Sequence, residues 1–179
     1  MKKLSIVTPC YNEEENVRGL RDAVKTVMAG LPVYDYEHIF IDNCSKDRTR
    51  AILREMVGED KKVKAIFNTR NFGHIRSPYY GLLQSTGDAA IILVADFQDP
   101  PAMIADLVKT WESGFKIVLC VKDQAEESAA MFAIRKLYYK LVSRLSEVEL
   151  VKNTTGFGLY DREVIETLRK IDDPYPYFR

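Results

Sequence analysis

Residues 89–101 read AAIILVADFQDPP. The run 89–95 is apolar on both parities, which predicts a strand covered on both faces, as strands of a parallel sheet are. It ends abruptly in Asp96, Gln98 and Asp99. Pro100 and Pro101 then open the next helical pattern, and Asp99 ahead of two prolines is a good helix N-cap. Asp96 has no comparable local role. An acid directly after a buried strand points to a site at the strand's mouth.

Outward from that stretch, apolar β-branched runs alternate with helical patterns. LSIVTP (4–9), YEHIFID (36–42), VKAIFN (63–68) and FKIVLCV (115–121) read as further strands. Residues 16–29 place Val17, Leu20, Val24, Val27 and Met28 on one helical face. A second helix spans 47–57, with Ser45 or Asp47 as N-cap. A third spans 77–86, with Ser77 as N-cap and Pro78 at its first position. A fourth spans 101–113, with Trp111 in the core. The alternation predicts an α/β fold: a mostly parallel sheet with helices on both faces, in one domain over 1–179.

The totals narrow the function classes. Lys and Arg balance Asp and Glu at 26 each, so no global basic field suggests nucleic acid. Cys10, Cys44 and Cys120 form no CxxC pair, which argues against a disulfide framework and a zinc site and fits a reducing, cytoplasmic setting. Cys10 and Cys120 read as small buried hydrophobes. His38 and His74 are the only histidines, so a histidine-based metal centre is not expected. The N-terminal apolar run is too short for a signal peptide, and nothing approaches the ~18 apolar residues that span a bilayer.

Polar residues collect just after the strands. Pro9, Tyr11, Asn12 and Glu13 follow the first, Asp42 and Asn43 end the second, Asn68, Arg70 and Asn71 follow the third, and Asp96, Gln98 and Asp99 follow the fourth. In a parallel sheet these ends share one edge, where open α/β sheets bind ligands. Neither GxGxxG nor GxxxxGK[ST] occurs, so no glycine-rich loop cradles phosphate. A bound phosphate would need another source of positive charge. A divalent cation, Mg²⁺ or Mn²⁺, on the Asp96 carboxylate and the Gln98 carbonyl oxygen is the obvious one.

Five segments then occur in order: IVTPCYNEEENV, FIDNCSKDRT, NTRNFGHIRSPYYGL, ADFQDPP and NTTGFGLYDREVIE. Together they resemble the family 2 glycosyltransferases, and within them the branch that transfers a sugar onto a polyprenyl or dolichyl phosphate. The resemblance covers essentially the whole chain. It implies a GT-A fold, an inverting transfer from a nucleotide-sugar donor (a UDP-sugar before a GDP-sugar), and membrane helices beyond Arg179 in the full-length protein. Pro9, Tyr11, Glu13, Asp42 and Asn71 would serve the nucleotide, with Tyr11 facing the base and Asp42 accepting from its edge. Asp96 and Gln98 would take the metal–diphosphate position, and Asp99 would sit near the sugar or behind the metal ligands. Gly156 and Gly158 would serve backbone geometry.

Three departures from the family pattern stand out. The usual Asp-x-Asp reads Val94-Ala95-Asp96, the usual Asp-Asp after the second strand reads Asp42-Asn43, and Gly156-Phe157-Gly158 lacks the charge some relatives carry. With Val94 in place of an acidic ligand, metal binding should be weaker and lean on the donor's diphosphate. Arg70, His74 or Arg76 could supply charge instead.

The acceptor would need a cationic anchor. Residues 129–150 carry a broad apolar stripe with Arg135, Lys136, Lys140 and Arg144 beside it, the pattern of an amphipathic membrane-surface helix. Arg135 is the candidate for the acceptor phosphate. Expected partners are therefore the nucleotide-sugar, a polyprenyl-phosphate lipid, the inner face of the membrane and a second copy of the chain. The alternatives are a catalytically degenerate nucleotide-binding or interaction module, which Val94 favours, and a transferase with a non-lipid acceptor.

Overall fold

The computed structural model describes residues 1–121, 154–171 and 176. The expected amphipathic helix over 129–150, with Arg135, lies outside the described residues.

The described strands are β1 (Lys2–Cys10), β2 (Tyr34–Asp42), β3 (Val63–Phe67), β4 (Ala89–Ile92), β5 (Ile117–Val121) and β6 (Thr154–Asp161). They form one sheet in the order β3-β2-β1-β4-β6-β5. β1 through β4 pair in parallel, from Lys2↔Tyr34 to Cys10↔Asp42 between β1 and β2, and from Leu4↔Ala89 to Val7↔Ile92 between β1 and β4. β6 runs antiparallel to both β4 and β5. The α/β class and the mostly parallel sheet are as expected.

The helices are α1 (Val17–Ala29), α2 (Thr49–Glu59), α3 (Gly73–Leu83), α4 (Ile104–Glu112) and α5 (Arg162–Lys170). α1, α2 and α4 share one core with Leu4, Ile6 and Phe40, into which Val17, Leu20, Val24, Leu53, Met56 and Trp111 are buried. Each fully buried aliphatic side chain here contributes about 1.5–3 kcal/mol of transfer free energy. α3 and α5 cover the other face, where Leu82, Ala90, Ile92, Tyr160 and Ile165 pack together. Gly81 lets α3 press on the sheet, since a Cβ there would stand 2.8 Å from Val7 Cγ1 and 3.2 Å from Ile41 Cγ2. α5 is tied to the end of α3 by two arginines: Arg162 donates to the Gly87 and Ser85 carbonyls, and Arg169 to those of Leu83 and Ser85. These carbonyls at a helix C-terminus would otherwise lack partners.

Three local expectations are corrected. α3 begins at Gly73, four residues before Ser77, with Pro78 inside it. The missing Pro78 N–H deprives only the His74 carbonyl, on the exposed first turn, so the helix runs through. α2 begins at Thr49 with Arg48 at the N-cap, yet Asp47 Oδ1 still accepts from the Thr49 N–H at 3.0 Å. Ahead of α4, Pro101–Met103 form a 3-10 turn with Pro100 at its cap and no capping side chain, so Asp99 is not the N-cap.

Candidate functional site

The C-terminal ends of the parallel strands open on a cleft of about 460 Å³, within the roughly 300–1,000 Å³ usual for small-molecule sites. Its walls come from the loops after β1, β2, β3 and β4, closed by residues of β5 and β6.

The loops after β1 and β2 are stapled together. The Asn12 N–H donates to Ser45 Oγ at 2.9 Å, and Asn12 Oδ1 accepts from the Lys46 N–H at 2.8 Å. The Glu13 N–H donates to Thr49 Oγ1 at 2.8 Å, and Glu14 accepts from the Arg48 N–H at 2.8 Å. Asn12 can take its positive φ of 58° because its short polar side chain tolerates the left-handed region. The staple leaves Tyr11 standing 40 % exposed at the mouth of the cleft, with Pro9 and Glu13 beside it on the wall.

Asp42 lies behind that wall rather than on it. It is 0 % exposed. Both its oxygens accept from the Ser45 N–H, at 3.2 and 3.3 Å, and Arg50 Nε stands 3.4 Å from Oδ2. Its neighbour Asn43 does line the cleft. The Asn43 amide holds the loop after β3, donating to Asn71 Oδ1 at 2.8 Å and accepting from the Phe72 N–H at 2.8 Å. Asn71, Gly73, His74 and Ser77 then form the wall at the start of α3.

After β4 the chain turns sharply. Asp96 Oδ1 accepts from the Gln98 N–H at 3.1 Å, and Phe97 between them has φ 58°. A bulky residue in that region is strained by about 1–3 kcal/mol, a cost found mostly at functional loops. The Phe97 ring reaches α1, where a Cβ on Gly19 would meet it at 3.6 Å. The turn sets Asp96 on the cleft, exposed. Gln98 is exposed and Asp99 buried, both off the cleft wall. Val94 and Ala95 complete that side.

Carboxylates act on the floor of the cleft. The Cys10 thiol, in the cleft floor, is pushed strongly up, first by burial and then by the carboxylates of Asp42, Glu13 and Asp47. An anionic ligand therefore needs a cation. Among the described residues no group of three or more His, Cys, Asp or Glu could hold a metal by itself. One exposed carboxylate is nonetheless what a Mg²⁺- or Mn²⁺-like ion takes from a protein when substrate phosphates fill its other positions. The residues fit a shared ion and do not fit a closed protein site.

Of the expected site residues, Pro9, Tyr11, Glu13, Asn71 and Asp96 meet on the cleft. Asp42, Gln98 and Asp99 flank it, and Arg135 lies outside the described residues. Sequence reasoning passed over Asn43 as a binding-wall residue, and also Thr154, Gly156, Tyr160 and Leu119. Asn43 was signalled by its place at a strand end. Thr154 to Tyr160 carried no such signal because β6 did not read as a strand.

The profile described as "Glycosyl transferase family 2" matches residues 5–169. The chain belongs to glycosyl transferase family 2. Curated relatives in this family include "Uncharacterized glycosyltransferase YkcC" of Bacillus subtilis (strain 168), 33% identical over 98% of this chain and 54% of the relative. They also include "Bactoprenol glucosyl transferase" of Shigella phage SfX, 32% identical over 96% of this chain and 56% of the relative. The chain thus spans about half the length of the curated relatives it matches. Among solved structures, glucosyl-3-phosphoglycerate synthase from Mycobacterium tuberculosis with Mn²⁺, UDP-glucose and phosphoglyceric acid superposes with TM-score 0.63 at 22% identity, over 91% of this chain and 57% of that one. The mannosyltransferase PcManGT from Pyrobaculum calidifontis, with GDP-Man and Mn²⁺, gives 0.62 at 19%, over 93% and 46%. These likenesses carry the fold, and the GT-A architecture expected from the sequence is the one observed.

Proposed function

We propose that this family 2 domain, taken as one catalytic unit over 1–179, transfers a sugar from a nucleoside diphosphate donor to a polyprenyl phosphate. What supports the reading is the exposed Asp96 carboxylate at the mouth of β4, on one cleft with Tyr11, Glu13 and Asn71. The relatives named as bactoprenol glucosyl transferases support the lipid acceptor and a glucosyl group as the one transferred.

In this reading Tyr11 stacks on the base, and Pro9, Glu13 and Asn71 shape its pocket. Asp42 acts on the base through the Asn43–Ser45 backbone it fixes. Asp96, with Gln98 beside it, holds a divalent cation shared with the donor diphosphate, and Asp99 positions that loop. When bound, the ion supplies Lewis-acid stabilisation of the departing nucleoside diphosphate. The acceptor phosphate is already ionised near neutral pH, so positioning and electrostatics carry the rate without a strict need for a general base. Arg135 anchors the acceptor phosphate, and residues 129–150 bring the domain to the inner face of the membrane as a peripheral element.

The test is transfer of labelled glucose from UDP-glucose to a polyprenyl phosphate in detergent, with Mn²⁺. Labelled lipid that is lost on Asp96→Ala supports the reading. Hydrolysis or nucleotide binding with no labelled lipid favours the second reading, a module that binds nucleotide without turnover. Val94 in the place of an acidic ligand is the observation behind that alternative.

A further inference from the structure

The amide of Asn43 uses all of its hydrogen-bonding capacity. Its Nδ2 donates to Asn71 Oδ1 at 2.8 Å and to the Gly73 carbonyl at 3.2 Å. Its Oδ1 accepts from the Phe72 N–H at 2.8 Å and from Asn68 Nδ2 at 3.2 Å. Two donors and two acceptor sites are what one amide possesses. The Asn43 side chain is buried, so losing a partner leaves one of its polar atoms poorly solvated.

The partners make one structural unit. Asn71 Oδ1 also accepts from the Gly73 N–H at 2.8 Å, and Asn68 Nδ2 also donates to Ser77 Oγ at 3.1 Å. Gly73 itself has φ 84°, a conformation other side chains resist. The end of β2 therefore fixes the first turn of α3, and with it the Asn71, Gly73, His74 and Ser77 wall of the cleft. Among the described residues, the clamp uses Asn71 through its Oδ1 alone.

We propose that Asn43 is the positioning residue for this wall, and that the position requires an amide. A carboxylate has no proton for Asn71 Oδ1 or the Gly73 carbonyl, and it would set negative oxygens against both. Asn71 Oδ1 supplies an acceptor that the Asn43 amide needs. The contribution to the nucleotide wall rests on the reading of the cleft as a nucleotide site. The clamp itself does not.

The two asparagines differ in what they tolerate. Asn71 uses its oxygen alone within the clamp, so Asn71→Asp keeps every clamp bond. Asn43→Asp breaks two. In the free protein, hydrogen exchange at the Phe72 and Gly73 amides should rise roughly tenfold or more in Asn43→Asp and stay near wild type in Asn71→Asp. UDP affinity with Mn²⁺ present should fall roughly tenfold in Asn43→Asp near about pH 8. The gap to wild type should narrow toward about pH 5, as the new carboxyl regains a proton to donate. Rescue by acid separates a positioning amide from a generally damaged fold. Should Asn43→Asp fail to fold, Asn68→Ala, which lies off the cleft, should loosen the same amides and weaken UDP roughly threefold.

Unchanged exchange in Asn43→Asp, or equal loosening in Asn71→Asp, overturns the clamp. Changed exchange with wild-type UDP affinity overturns the positioning role. If the wild type binds neither UDP nor GDP, the nucleotide reading falls and the positioning role with it, while the exchange data still decide the clamp.

Discussion

Arg50 on α2 reaches back to the buried Asp42 at the end of β2, with Nε 3.4 Å from Oδ2. Among the described residues, it is the cation beside a carboxylate whose other partner is the Ser45 N–H. The guanidinium also lies over the Phe67 ring, 5.3 Å from its centroid. Removing one partner of a buried pair leaves the other charge uncompensated. Arg50 is partly exposed, so solvent screens part of the loss. Arg50→Ala should lower stability by about 1–3 kcal/mol, read by urea denaturation. The double variant with Asp42→Asn should recover part of that loss. Full additivity would show that the pair is not coupled.

Glu37 and His38 set the response to acid. Glu37 is 2 % exposed. Burial alone would raise its pKa, but the Lys64 ammonium, the Ser5 hydroxyl and the Thr86 N–H and hydroxyl outweigh burial and hold it far below the usual range. A depressed folded pKa means stability that is complete above the unfolded value and lost as pH falls toward the folded one. The Glu37 contribution should therefore decline below about pH 4.5. His38 is buried with Thr8 Oγ1 2.9 Å from Nε2. Burial, helped by the charge of Arg21, pushes its pKa down to about 3. The unfolded chain takes up the proton first, so this contribution starts to fall below about pH 6.5. In pH-dependent thermal melts, Glu37→Gln should flatten the lower part of the acid limb and His38→Gln the upper part. A single unchanged limb in both would contradict this division.

Cys44 has φ 68°, a left-handed conformation that costs a non-glycine residue. Its thiol donates to the Thr69 carbonyl at 3.6 Å, a weak contact. Cys44→Gly should therefore stabilise the fold by about 0.5–1 kcal/mol, seen as a higher urea midpoint. A loss of stability would mean that the thiol contact outweighs the strain.

Gly158 sits where β6 has no room for a side chain. A Cβ there would stand 2.7 Å from Leu119 Cδ2 and 2.8 Å from the Val118 carbonyl. Gly158→Ala should cost about 1–3 kcal/mol and disturb the β5–β6 pairing, which forms the Leu119 and Tyr160 side of the cleft. Wild-type stability would show that β5 yields easily.

Much of this architecture was legible because it is local. The α1 stripe, the apolar β4 run and the polar strand ends all lie within short windows. β6 was not legible: Gly156 and Gly158 break its alternation, and its partners β4 and β5 are distant in sequence. The start of α3 was misplaced for a similar reason. Ser77-Pro78 is a strong local signal, but the helix is started upstream by Asn43 and Asn71, a contact across 28 residues. At the site, the strand ends point to the cleft and to six of the residues on it. They could not tell that Asp42 turns inward to Arg50 while Asn43 faces the cleft, because neighbouring residues of a strand end point to opposite sides.

In the proposed function, Asp96 serves a nucleotide site through a shared divalent cation. Calorimetric titration of UDP and GDP, each with and without Mn²⁺, on wild type and Asp96→Ala tests it most directly. Binding of one nucleotide that needs Mn²⁺ and falls roughly tenfold or more in Asp96→Ala is the predicted result. Binding of equal strength without the metal, or left intact by Asp96→Ala, would contradict it.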